Sequence, residues 1–160
     1  TILGKILGAG SCIELTEGTG LRVPPRVVKR SIQSALQEAR CAIGDLAFVC
    51  PHGSGTTKGD RSELQSILEV YDEQQASAPL CGLKPYTGHM GAASDLAEIV
   101  LGLNALRQGL ITATLHYQES DKEFSMLEIT KQHASSNRQA FLSLSYGIGG
   151  QSSATVVSLA

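Results

Sequence analysis

The sequence has little imbalance of charge: 13 Lys and Arg stand against 15 Asp and Glu, a net charge of −2 over 160 residues. That balance offers no basic surface for nucleic acid or for an anionic membrane, and neither partner is expected. No apolar run reaches the length of a transmembrane helix. The four cysteines, Cys12, Cys41, Cys50 and Cys81, form no CxxC pair and no tight spacing. This suits reduced thiols in a cytoplasmic protein better than a disulfide frame. His52, His89, His116 and His133 are too far apart for paired-ligand spacing, so no metal site is expected. Internal repeats and low-complexity segments are also lacking. Thr1 stands where a Met would open a chain, and an apolar strand pattern follows at once. We therefore expect a piece cut from a longer polypeptide.

What is present is globular. Hydrophobic residues make up 42% of the chain and charged ones 18%, over a length that can bury one core. Ile2 to Ile13 is apolar and glycine-spaced, and reads as a strand; Thr16 to Pro25 reads as a loop. From Pro25, the positions Val28, Ile32, Ala35, Leu36 and Ala39 follow helical spacing. Leu46 to Cys50 is a short, wholly apolar run of the kind found in strands covered on both faces. Leu64, Ile67, Leu68 and Tyr71 mark a second helix, Pro79 to Leu83 a further strand, and Gly91 to Arg107 a third, strongly apolar helix. Gln118 to Arg138 reads as loop with one short strand near Met126. At the end, Phe141, Ser143 and Ser145 alternate with Leu142, Leu144 and Tyr146, a glycine turn follows, and Ser153 to Leu159 returns as a strand. The order predicts an α/β fold with a mixed sheet: crossovers feed a mostly parallel part, an antiparallel C-terminal hairpin closes it, and helices pack on it.

Polar side chains concentrate in three glycine-bearing loops. The first, Pro51 to Asp60, places His52 at the C-terminal end of a buried strand, where open α/β sheets hold ligands. A phosphate cradle is the competing reading, but GxxxxGK[ST] is absent and GxGxxG is incomplete. Asp60 and Glu63 are spaced as a helix capping box, which is favoured over direct catalysis. The second loop, Lys84 to Gly91, sets His89 just before a helix, where the dipole favours a neutral imidazole. Glu98 shares a helix face with Ser94, Leu101, Gly102 and Ala105, so its carboxylate should be buried and paired, with Lys84 as the candidate partner. On spacing alone, a satisfied loop or core residue is the favoured reading of each histidine. The third loop, Ser145 to Ser152, is either an ordinary hairpin turn or a set of exposed N–H donors.

Together the three loops resemble the β-ketoacyl synthases of the thiolase superfamily, in their C-terminal half. The family's HGTGTxxGDxxE is matched by His52-Gly53-Ser54-Gly55-Thr56-Thr57-Lys58-Gly59-Asp60 through Glu63; its KxxxGHxxGAAGxxE by Lys84, Gly88-His89, Gly91-Ala92-Ala93-Ser94 and Glu98; its closing SFGFGGxN by Ser145 through Ser152. The resemblance covers nearly the whole chain and implies one thiolase-like half over residues 1–160. In the family, a cysteine of the other half takes an acyl group from acyl carrier protein. Two histidines then assist decarboxylation of a malonyl unit and stabilise the developing enolate and oxyanion. By resemblance His52 and His89 hold those places, Lys84 pairs with Glu98, and Asp60 and Glu63 support the site. Ser54 and Thr56 match hydroxyls that contact the phosphopantetheine arm, no further cofactor is implied, and the N–H of Ile148 beside Gly149 matches part of an oxyanion hole. Ile148 replaces a gating phenylalanine, Ser152 an asparagine, Ser54 a threonine, and Asp95 stands where glycine is common. None of the four cysteines has a nucleophile's setting, and Cys50 reads as structural. The resemblance thus implies a half that joins a cysteine-bearing partner for condensation in fatty acid or polyketide synthesis. The alternative is a non-catalytic, chain-length-factor-like partner of the same fold. An apolar face left by the missing half predicts a homo-oligomer.

Overall fold

The computed structural model describes residues 2–13, 25–147 and 149–160. The loop expected up to Pro25 falls almost wholly outside these residues, and so does Ile148.

Strand β1 (Gly4–Ile13) leads to helix α1 (Pro25–Ala39), and a single 3-10 turn at Ile43–Asp45 precedes β2 (Val49–Cys50). Helix α2 (Thr57–Gln74), a one-turn helix α3 (Lys84–Thr87) and α4 (Ala93–Arg107) follow. After the short β3 (Leu110–Ile111) and β4 (Ala134–Ser135), the hairpin β5 (Ala140–Gly147) and β6 (Gln151–Leu159) closes the chain. The main sheet has the order β1-β6-β5-β2. β6 runs antiparallel to both β1 and β5, whereas β2 is parallel to β5.

The segment expected as a strand at Pro79 to Leu83 extends this sheet by single bridges, Val49 to Leu80 and Leu80 to Ile129, both parallel. Its backbone is fully engaged there: Cys81 N–H donates to Val49 O at 2.9 Å and Leu80 N–H to Glu128 O at 2.7 Å. The sheet is mixed, as expected: the closing hairpin makes β6 antiparallel to β5, and β1 then adds antiparallel on β6, so the antiparallel share is larger than the crossovers alone suggest. The strand expected near Met126 is instead a 3-10 turn at Lys122–Phe124, and Met126 is 83% exposed. Phe124 and Leu127 are buried in the core from this turn, and the parallel bridge to Leu80 forms at Ile129.

Alternation along β5 decides which helix lies on which face. Leu142, Leu144 and Tyr146 pack with Val156 against Val28, Ile32 and Leu36 of α1 and Ile67 and Val70 of α2. Phe141 points the other way, stacks on Phe48 with ring centroids 4.8 Å apart, and joins Leu106 of α4. The glycine spacing of β1 has the same origin. A Cβ on Gly10 would lie 2.1 Å from the carbonyl oxygen of Ser31, and one on Gly8 2.3 Å from that of Ala35. Only bare backbone lets α1 lie this close to the strand.

Helix α4 is apolar nearly all round, the pattern of a helix buried on every side. One side meets the sheet. On the other, Leu96 is 67% and Val100 51% exposed. No helix among the described residues is long and apolar enough to cross a membrane.

Candidate active site

His52 follows β2 directly and is 7% exposed. Its backbone is held from α2: Glu63, fully buried, accepts the N–H of His52 at 2.6 Å and that of Gly53 at 2.9 Å. Asp60 accepts the Ser54 hydroxyl at 2.9 Å and the Gly55 N–H at 3.2 Å. The cap of α2 is Thr56, whose Oγ1 accepts the Gly59 N–H at 3.2 Å. The capping box read at Asp60 and Glu63 is thus corrected. The helix begins one turn earlier than that spacing requires, which frees both carboxylates to reach back and brace the histidine loop.

His89 lies in the loop between α3 and α4, on the exposed side of the site. Its ring stands edge-on to that of His52 with centroids 5.5 Å apart. The Gly91 N–H donates to His89 Nδ1 at 3.0 Å, which leaves the ring proton of a neutral imidazole on Nε2. Tyr146, not among the expected site residues, also packs on His52, with ring centroids 4.4 Å apart. Its hydroxyl lies toward Ser54 without a hydrogen bond of normal geometry, and His52 Nδ1 is also buried without a partner. The only signal in the sequence was the place of Tyr146 next to the glycine turn.

Lys84 and Glu98 meet as expected. Nζ lies 2.9 Å from both carboxylate oxygens, in a setting where Glu98 is 0% exposed. Ser94, Gly102 and Ala105 share the buried face, whereas Leu101 turns off it and is 36% exposed. The first turn of α4 is anchored twice: Ser94 Oγ accepts the Met90 N–H at 2.8 Å, and Asp95 accepts the Ser145 hydroxyl at 2.7 Å.

Of the expected substrate contacts, Ser54 is half-buried and Thr56 exposed, and their hydroxyls share a hydrogen bond of 2.8 Å. Gly149 is exposed at the turn with φ of 105°. The backbone donor assigned to Ile148 lies outside the described residues.

Burial sets the electrostatics. It pushes the His52 imidazole down to about 4, with the Lys84 ammonium acting in the same direction, so His52 is neutral at pH 7. Burial raises Glu63 to about 7 against the opposing pull of its two backbone N–H bonds. Burial likewise raises Glu98, with the Lys84 hydrogen bond opposing it. The thiols are pushed away from the reactive range: Cys50, completely buried, well above its ordinary value, and Cys81 up to about 11. Such a site can direct imidazole donors at developing negative charge beside a neutralised Lys–Glu pair. Among the described cysteines, Cys50 and Cys81 hold no ready thiolate.

A mixed sheet with helices on both faces, and two imidazoles meeting at the end of β2, are the arrangement of one half of a thiolase-like fold. The chain belongs to the family described as beta-ketoacyl synthase, C-terminal domain, whose model matches residues 3–118. It is 30% identical over 139 residues to the tetracenomycin polyketide synthase ketoacyl synthase alpha subunit of Streptomyces glaucescens, covering 87% of this chain and 33% of that protein. It is 29% identical over 139 residues to the actinorhodin polyketide putative beta-ketoacyl synthase 1 of Streptomyces coelicolor, covering 87% of this chain and 30% of the relative. Among solved structures, a type II polyketide synthase acyl-carrier protein in complex with its ketosynthase bound to the hexaketide superposes with a TM-score of 0.85 and 27% identity, over 98% of this chain and 38% of that one. The ishigamide ketosynthase/chain length factor shares the fold, with a TM-score of 0.84 at 24% identity over 98% of this chain and 38% of that one. This chain thus spans about a third of the length of these curated relatives.

Proposed function

We propose that this chain is the C-terminal unit, residues 1–160, of a β-ketoacyl-acyl carrier protein synthase that performs decarboxylative Claisen condensation in polyketide or fatty acid synthesis. The observation that carries the reading is the His52–His89 pair, edge to face at 5.5 Å. In the mechanism it supports, a cysteine of the N-terminal half holds the acyl chain as a thioester. The malonyl thioester loses CO2, and its electron pair passes to the thioester oxygen as an enolate. His89 Nε2–H and a neutral His52 stabilise that oxygen. The carbanion carbon then attacks the acyl thioester, a carbon–carbon bond forms, and the cysteine leaves as thiolate. Lys84 and Glu98 keep the site ordered without adding net charge, and Glu63 and Asp60 brace the loop that carries His52.

On this reading substrates arrive on the phosphopantetheine arm of acyl carrier protein in the cytoplasm, along Ser54, Thr56 and the turn at Gly149, and no further cofactor is needed. The uncovered side of α4, with Leu96 and Val100, receives the cysteine-bearing half. A chain-length-factor-like role has less support, since a partner that makes no bond has little use for two converging imidazoles.

The test is condensation by the polypeptide that joins this chain to its N-terminal half. With acyl and malonyl thioesters of acyl carrier protein, His52→Ala and His89→Ala should each lower turnover by roughly a hundredfold or more. Wild-type activity that survives both substitutions would refute the assignment.

A further inference from the structure

Two consecutive residues at the end of β5 reach opposite faces of the sheet, and each leads to one of the two histidines. Tyr146 turns toward α1 and α2 and packs on the His52 ring at 4.4 Å. Ser145 turns toward α4 and donates to Asp95 Oδ2 at 2.7 Å. Asp95 sits in the first turn of α4, where a carboxylate is favoured by the helix dipole. The same turn governs His89. Ser94, buried beside Asp95, accepts the N–H of Met90, the residue after His89, at 2.8 Å. Ser94 N–H in turn donates to Gly91 O at 3.0 Å, and Gly91 N–H donates to His89 Nδ1 at 3.0 Å. An unbroken run of short contacts therefore links Ser145 through Asp95, Ser94 and Gly91 to the ring of His89.

We propose that Asp95 is a positioning residue of this site, and that the Asp95–Ser145 bond locks the start of α4 to β5 so that His89 is held against His52. The end of β5 is then the common anchor of both imidazoles. This inference rests on the ketosynthase reading and deepens it. Asp95 makes its hydrogen bond to Ser145 and not to either imidazole; its charge favours protonated His52 less than burial and Lys84 oppose it, and its proposed role runs through the α4 turn. An alanine here would leave Ser145 without its acceptor and the first turn of α4 free to shift, and misplacement on the ångström scale is costly in a donor pair aimed at one oxygen.

The experiment uses the polypeptide that carries this chain with its cysteine-bearing half. Asp95→Ala and Ser145→Ala should each lower kcat by roughly ten- to a hundredfold with KM for the acyl thioester unchanged. The double variant should be no worse than either single one, since both remove one bond. Asp95→Asn keeps an acceptor oxygen and should restore most of the activity. Nuclear Overhauser contacts between the two imidazoles should weaken in the alanine variants and persist in Asp95→Asn. Additive losses, an Asn variant as poor as the Ala one, or unchanged imidazole contacts would each overturn the latch. If Asp95→Ala fails to fold, Ser145→Ala probes the same bond from the strand. A wild-type polypeptide that condenses nothing would overturn the ketosynthase reading instead, while the imidazole contacts still test the latch.

Discussion

Lys84 Nζ is equidistant from both oxygens of Glu98, 2.9 Å to each, and the pair is closed off from water between α3 and α4. Two charges taken out of water together come close to cancelling, but either one alone is stranded. Glu98→Ala should therefore lower stability by about 3–5 kcal/mol, whereas Lys84→Met with Glu98→Gln together should cost much less. Chemical denaturation of the two variants measures this, and equal losses in both would contradict the pairing.

A second prediction concerns pH. Glu63 rises from 4.5 to about 7 in the folded protein, so its contribution is full below pH 4.5 and is lost as pH climbs to 7. His52 falls from 6.5 to about 4, so its contribution is full above pH 6.5 and is lost as pH falls to 4. Between pH 4.5 and 6.5 the two slopes oppose each other and the wild type should be nearly flat from these groups. His52→Ala should expose a stability that falls with rising pH, and Glu63→Gln one that rises, each on the order of 3 kcal/mol over its window. Urea midpoints across that range decide it; the same slope in both variants would be inconsistent with these environments.

Gly10→Ala is predicted to be disproportionately harmful for a single methyl group. Its Cβ would fall 2.1 Å from the Ser31 carbonyl oxygen, which belongs to helix backbone and cannot rotate away. A loss of about 1–3 kcal/mol, or more, is expected from forcing α1 off β1. A melting temperature equal to wild type would show that the helix can shift freely.

This chain by itself should form no acyl-enzyme. Burial raises the thiols of Cys41, Cys50 and Cys81, and thioester exchange needs a thiolate. Intact mass after incubation with an acyl thioester of acyl carrier protein should be unchanged. Sedimentation should show self-association, a second copy covering Leu96 and Val100 of α4. A stable adduct, or a clean monomer at high concentration, would count against the respective half of this prediction.

The helices and the closing hairpin were written in the sequence because their periodicities are local: Val28 to Ala39 repeats at helical spacing and Phe141 to Tyr146 alternates by two. The paired motifs around His52 and His89 were legible too, since chemistry restricts residue type at fixed short separations. What spacing could not reveal is anything decided by a long-range return of the chain. Asp60 and Glu63 looked like a capping box, yet α2 starts at Thr57 and carries both carboxylates back to the loop before it. Met126 sat in a stretch read as a strand, but the backbone there turns, and Ile129 is where the sheet supplies partners. Tyr146 on His52 and Ser145 on Asp95 join residues far apart in sequence, and no local pattern encodes either contact. The sequence by itself determined which groups are available and which local elements carry them. Only the tertiary structure decided their protonation and their neighbours, because burial and strand pairing are properties of the packed chain and not of any segment within it.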